Sequence, residues 1–341
     1  MNALKQGDSV ALVAPAKQVS NEIIQNAIET LTQWGLNVFH ISNNSDYLDR
    51  SLISNISKTS DISTPAFDLQ RTAEFQAAID NPEIKAIFCL RGGYGSIRII
   101  DELDFSKFIE HPKWIIGYSD ITVIQQHIFT KYGIPSIHAE MPLHYPPFHH
   151  ISPSFSSTQT SSSIQLLKDL LFNFNKTSVF FDVNNDLQGE HSRDEKKVVR
   201  TGKCTGQIVG GNLAVFCNLL GSESMPDTSG KILFLEDVGE YLYAIDRMMF
   251  SLKRAGKLHN LAGLLVGNFT EIKDTEPPFG QSVEKIIFDK VKEFDYPVVF
   301  NFPAGHNQQI NTPFFFGIDY VMEVSRLSFS LFPNVCHPQI Q

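Results

Sequence analysis

A chain of 341 residues exceeds what one hydrophobic core usually organises, and a 42% apolar content that includes 27 Phe can fill two. A formal charge of −9 without sustained Lys/Arg clustering argues against a nucleic-acid partner, whose phosphates would demand one. No apolar run reaches the length that crosses a bilayer, so the expectation is a cytoplasmic protein with no membrane partner.

The chain opens on Val10-Ala-Leu-Val-Ala-Pro-Ala16, which ends like a signal peptide but is short and abutted by Asp8. A first strand over 9–13 accounts for it better. A helical pattern over 21–34 follows, then a strand over 38–41, a helix near 71–79, a strand over 86–90, a helix-like stretch over 96–103 and a strand over 114–116. Such alternation predicts an α/β domain over 1–145, a Rossmann- or flavodoxin-like parallel sheet with helices on both faces. Ligands of such sheets collect at the carboxyl ends of the strands.

Two of those ends carry unusual residues. The run 86–90 breaks into Arg91-Gly-Gly-Tyr-Gly95, where three glycines leave backbone amides bare and able to hold a phosphate or an oxyanion. It is neither G-x-G-x-x-G nor a Walker A loop, so nucleotide binding is the weaker reading, and a tight turn requiring positive φ remains an alternative. The next strand breaks at Gly117-Tyr-Ser-Asp-Ile-Thr122 and resumes as a helix. That is the outline of a nucleophile elbow around Ser119, although it departs from G-x-S-x-G, and a Ser-Asp helix cap would read the same way.

Between 146 and 163 the chain turns rich in Pro, His, Ser and Thr, and residues 146–176 read as a linker. His138, Glu140, His144, His149 and His150 match no metal-ligand spacing, so no metal is expected. Lys196, Lys197 and Arg200 form a short basic patch beside Asp194 and Glu195, read as a solvated loop. Strands near 178–181, 204–209, 231–235 and 262–266, with fewer helices between, predict a β-rich α/β domain over 177–341. The four cysteines lack C-x-x-C spacing, and Cys89 and Cys217 read as buried free thiols of a reducing compartment.

The run Lys231-Ile-Leu-Phe-Leu-Glu-Asp-Val-Gly-Glu240 ends in three acids. Period-2 alternation puts Glu236 and Asp237 on opposite faces without choosing which enters a cleft. In Tyr296-Pro-Val-Val-Phe-Asn-Phe-Pro-Ala-Gly-His306 a strand again leads to a loop, and His306 suits a general base. The order Ser119, Glu236, His306 is that of the α/β-hydrolase triad.

Taken together, Arg91-Gly-Gly-Tyr-Gly95, Gly117-Tyr-Ser-Asp-Ile-Thr122, Val209-Gly-Gly-Asn-Leu213, Leu235-Glu-Asp-Val-Gly-Glu240 with Ile245-Asp-Arg247, and Ala304-Gly-His306 resemble the LD-carboxypeptidases, the muramoyltetrapeptide carboxypeptidases. The resemblance spans nearly the whole chain. It implies a Ser119 nucleophile, a His306 base oriented by Glu236, an oxyanion hole from the amides of Gly93 and Asp120, and no cofactor. It further implies a cytoplasmic muropeptide substrate ending in D-Ala after meso-diaminopimelate or L-Lys, and a homodimer. Tyr94, Asn212 and Arg247 are candidates for shaping the pocket, although Asp246-Arg247 reads equally as a structural ion pair. Residues alone stop at a serine hydrolase. The rivals are a microcin-immunity-type carboxypeptidase acting on peptide–nucleotides and a non-catalytic anion-binding module. The chain departs from the family pattern at His138-Ala-Glu-Met141, where many members read Gly-Pro-Met, and in the polar stretch 188–205.

Overall fold

The computed structural model describes residues 1–41, 65–146, 160–174, 179–182, 200–307, 310–326 and 328–334. Strands β1 (Ser9–Val13), β2 (Asn37–His40), β3 (Ile84–Cys89), β4 (Trp114–Gly117) and β5 (Ser136–His138) pair in parallel in the order 2-1-3-4-5, the flavodoxin-like winding. The inner strands β1, β3 and β4 are near-continuous apolar runs because helices cover both faces.

Helix α1 (Asn21–Gln33) buries Ile24, Ala27 and Leu31 on one stripe. Helix α2 (Pro65–Asp80) starts earlier than its apolar periodicity indicates. The stretch 96–103 divides into α3 (Ser96–Ile99) and a 3₁₀ turn, and α4 (Ser106–Glu110) follows. Helix α5 (Thr122–Tyr132) is buried without interruption from Thr122 to Ile128, since it lies between the first sheet and the second domain.

The stretch 146–176, expected to be a linker, contains helix α6 (Thr160–Phe172). Its Ile164, Leu167 and Leu171 join the core formed by Leu4, Ala27, Leu31 and Trp34, and the Leu4 amide donates to the Leu171 carbonyl at 2.8 Å. A Ser/Thr-rich first turn conceals this apolar stripe in the sequence. Residues 147–159, including His149 and His150, lie outside the described residues, as does most of 188–205.

The second domain contains β6 (Val179–Asp182), β7 (Gly202–Asn212), α7 (Leu213–Asn218), β8 (Ile232–Val238), α8 (Leu242–Arg254), β9 (Gly263–Thr270), α9 (Val283–Val291) and β10 (Val298–Val299). Strands β11 (Phe314–Phe316), β12 (Asp319–Val324) and β13 (Ser328–Pro333) complete the chain. Its mixed sheet runs β10-β9-β8-β7-β12-β13-β6, parallel from β10 to β7 and antiparallel beyond. Strand β11 returns to the first sheet as an antiparallel edge on β5, with Phe314 opposite His138.

Arg200, expected in a solvated loop, instead donates to the carbonyls of Val291 (3.1 Å), Phe294 and Tyr296 (3.3 Å) at the end of α9. No helix among the described residues is long and apolar enough to cross a membrane.

Candidate active site

Strand β4 ends at Gly117, and two residues later Ser119 adopts φ 63°, a left-handed conformation strained for a side-chain-bearing residue. A 3₁₀ turn over Ser119–Ile121 then enters α5. The strand–turn–helix context of an elbow is therefore present, and the rival cap reading fails on geometry. Ser119 Oγ makes no hydrogen bond among the described residues, while Asp120 Oδ2 reaches across to accept from Ser96 N at 2.8 Å. That bond ties the glycine loop to the elbow. Burial raises the Asp120 carboxyl above its usual range, and the amides of Ser96 and Gly95 oppose the shift.

The glycine loop lies directly on Ser119. A Cβ at Gly92 would stand 2.8 Å from Ser119 Cβ and 2.9 Å from its Oγ, so only glycine fits. Asp120 N stands 3.5 Å from that same Cβ position, and neither it nor Gly93 N donates to another loop or side chain among the described residues. Under Gly95 lies the buried Arg71, which donates to Tyr94 O at 3.4 Å and pairs with Asp68 at 2.9 Å.

Structure resolves the choice that alternation left open between Glu236 and Asp237. Glu236 is 0% exposed and its Oε2 accepts from His306 Nδ1 at 2.7 Å and from His306 N at 3.1 Å. Asp237 faces the other way and accepts from Asn212 Nδ2 (2.9 Å), Ala214 N (3.0 Å) and Val238 N (2.8 Å). Burial, with Glu236 adjacent, pushes its carboxyl up to about 7.

The His306 loop is fixed from several sides. Thr270 Oγ1 donates to His306 O at 2.8 Å, and Gly305 N donates to Asn311 Oδ1 at 2.9 Å. Gly305 sits at φ +107°, and a Cβ there would stand 2.7 Å from both Cβ and Oε2 of Glu236. The Tyr118 ring packs on the imidazole at a centroid distance of 4.9 Å, so the residue preceding Ser119 touches His306. Glu236 and His306 thus meet directly, whereas no hydrogen bond joins Ser119 Oγ to His306 in this structure.

The electrostatics follow from this contact. Burial alone would raise the Glu236 pKa, but the charge of His306 and its hydrogen bond outweigh it and hold the group below the usual carboxylate value. Burial would likewise depress His306; the Glu236 charge and hydrogen bond, helped by Asp237 and Glu140, raise it instead. With Nδ1 engaged, Nε2 is the nitrogen left for proton transfer.

Of the remaining sequence candidates, Tyr94 stands at the rim of the glycine loop, 53% exposed. Asn212 is buried and engaged: its Oδ1 caps α7 by accepting from Val215 N at 3.2 Å, and its Nδ2 holds Asp237. Arg247 is exposed on α8 with its guanidinium 5.6 Å from the Tyr243 ring. Asp246 pairs with Lys290 at 2.6 Å rather than with Arg247.

Sequence alone assigned no role to Tyr118 or Asn311, and it marked His138 and Glu140 only as rejected metal ligands and as part of a departure from the family pattern. His138 is buried and stacks on Phe314 at 4.7 Å. Asn311 Oδ1 already accepts from Gly305 N, so the His138 Nε2 facing it at 3.2 Å must be the donor, and burial lowers this imidazole's pKa to about 4. Glu140 is buried beside Tyr118 and accepts from His144 Nδ1 at 2.6 Å. The departure at His138-Ala-Glu-Met141 was the available signal for Glu140; nothing local marks Asn311. Cys89 is buried and Cys217 half-buried, both as free thiols.

Residues 10–139 match the family model described as LD-carboxypeptidase N-terminal domain, and residues 205–322 the one described as LD-carboxypeptidase C-terminal domain. The chain is 30% identical over 309 residues to the probable murein peptide carboxypeptidase of Bacillus subtilis, covering 89% of this chain and 85% of that protein. It is 26% identical to the murein tetrapeptide carboxypeptidase of Pseudomonas aeruginosa, covering 93% and 94% of the two. The crystal structure of muramoyltetrapeptide carboxypeptidase from Oxalobacter formigenes superposes with a TM-score of 0.72 at 25% identity, over 96% of this chain and 100% of that one.

Proposed function

This chain belongs to the LD-carboxypeptidase family, and from that premise we propose that it is a serine carboxypeptidase removing the terminal D-Ala from a muropeptide tetrapeptide. The observation that carries the reading is the contact of buried Glu236 with His306, which packs against the residue that precedes a strained Ser119. The murein peptides in the names of its relatives supply the substrate class.

In this mechanism His306 Nε2 takes the proton of Ser119 Oγ as the oxygen attacks the carbonyl between the L-centre and D-Ala. The amides of Gly93 and Asp120 receive the oxyanion. His306 then gives its proton to the departing amine, D-Ala leaves, and water, deprotonated by His306, hydrolyses the ester. Glu236 holds the Nδ1–H tautomer and stabilises the imidazolium. The Ser119–His306 hydrogen bond forms with substrate in place; such contacts are commonly long in unliganded enzymes. The reading includes a cytoplasmic location and a homodimer.

Replacing Ser119 by Ala removes the nucleophile and no packing contact of consequence. D-Ala release from a defined tetrapeptide, followed by mass spectrometry, is expected to cease while the circular dichroism spectrum is unchanged. Retained turnover would refute the assignment.

A further inference from the structure

A carboxypeptidase must recognise the carboxylate that ends its substrate, and no group assigned so far carries a fixed positive charge. Buried Glu236 contacts His306, and the charges of Glu140 and of Asp237 on the opposite face of β8 add to it, so that side of the site is electronegative. A substrate anion is therefore directed to the opposite side, where the glycine loop runs.

There the loop meets Lys17, which follows β1. A Cβ at Gly93 would stand 2.8 Å from Lys17 Cδ and 2.9 Å from Cγ, so the lysine stem lies flat on that glycine. The Lys17 amide donates to Gly92 O at 3.4 Å, fixing the base of the side chain to the same loop. Lys17 is half-buried, and its ammonium has no hydrogen bond or ion pair among the described residues. A packed stem with an uncommitted head is how a lysine presents its charge to a site. Two neighbouring cations are spent elsewhere, Arg71 on Asp68 and Tyr94 O and Arg98 on Asp68, while Arg91, half-buried at the start of the loop, is the rival that the test below separates from Lys17.

The reach is also suitable. Gly92 abuts Ser119 Oγ and the next residue abuts Lys17. In a bound peptide the terminal carboxylate lies about 4 Å beyond the scissile carbonyl carbon, and Lys Nζ extends about 2.5 Å past Cδ, by standard bond lengths.

We propose that Lys17 binds the C-terminal carboxylate of the peptide, across Gly93 from the nucleophile. This rests on the carboxypeptidase reading above, and it gives Gly93, already at φ +113° where a side chain is strained, a second reason to lack one, since any Cβ would displace the lysine.

The test compares Lys17→Met, which keeps the apolar stem, with wild type on a tetrapeptide ending in D-Ala and on the same peptide ending in D-Ala amide. Wild type is expected to prefer the free acid. The variant should lose roughly tenfold to hundredfold in kcat/KM on the acid, mostly through KM, and none on the amide, while Lys17→Arg retains most activity. Equal losses on both substrates, or no loss on the acid, would overturn the proposal. So would Arg91→Met, rather than Lys17→Met, producing the selective loss. Wild type that cleaves neither peptide, releasing neither D-Ala nor D-alaninamide, defeats the underlying carboxypeptidase reading instead, and the Lys17 assignment with it.

Discussion

Gly305→Ala tests whether the Glu236–His306 contact depends on a backbone position without a side chain. At φ +107° an alanine incurs roughly 1–2 kcal/mol of backbone strain. Its Cβ would also lie 2.7 Å from Glu236 Cβ and Oε2 and 2.9 Å from Cγ. Glu236 is fully buried, so the clash is relieved only by moving the carboxylate off His306. Overpacking costs about 1–3 kcal/mol, and the charge-assisted bond that is lost contributes about 1.5–3 kcal/mol. Because the displacement that relieves the first causes the second, the terms overlap, and a total near 3–5 kcal/mol is expected. The control is Gly230→Ala, at φ +69° with nothing within 4 Å of the added Cβ, which carries strain alone, about 1 kcal/mol. Urea denaturation at constant m-value measures the stabilities, and D-Ala release measures the pair's function. A Gly305→Ala variant no less stable than Gly230→Ala, with unaltered turnover, would show that this reasoning is wrong.

Two further outcomes follow from the same geometry. Glu236→Gln keeps the shape but removes the strongest influence favouring the His306 imidazolium, so the His306 pKa falls. A base works when neutral; the acid limb of kcat/KM should therefore shift to lower pH, while its plateau drops by about two to four orders of magnitude. An acid limb that stays in place would contradict the assignment of His306 as the base. At the domain seam, a Cβ at Gly211 would stand 2.5 Å from Thr122 Oγ1 and 2.7 Å from its Cγ2, so Gly211→Ala should destabilise by about 2–4 kcal/mol. Thr122→Ala removes both obstructing atoms, and the double variant should recover part of the loss; strictly additive losses in the cycle would contradict the contact.

What could be read beforehand was what short-range pattern encodes. Val10 to Val13 and Ala86 to Cys89 announce central parallel strands because burial on both faces demands unbroken apolar residues. Ser119 stood out because a glycine breaks such a run just before it. The alternating Tyr320, Met322 and Val324 carried a strand signal that was present but passed over. Other features lay beyond local pattern. Alternation separated Glu236 from Asp237, yet only the position of the His306 loop decides which acid it meets. Strand β11 is three phenylalanines whose partner, β5, lies far earlier in the chain. Asn311 acts by holding Gly305 N and His138 at once, a role its neighbours in sequence do not mark.

The seam between the domains explains how residues so distant in sequence are brought into register. Thr122 begins the helix that Ser119 leads into, and its Oγ1 accepts from Asn212 N at 3.2 Å. Asn212 ends β7 directly opposite Glu236 on β8, and Glu236 holds both the side chain and the amide of His306. From Ser119 to His306 the path thus runs through one elbow, one interdomain hydrogen bond, one strand pairing and one carboxylate. Each link is backbone or fully buried, and Gly211 lets the two domains approach closely enough for the second link to form. A second path runs from β5 through His138 and Asn311 to Gly305. Two routes to one imidazole restrict its position far more than either would, which is what the proposed proton transfer between Ser119 and His306 requires.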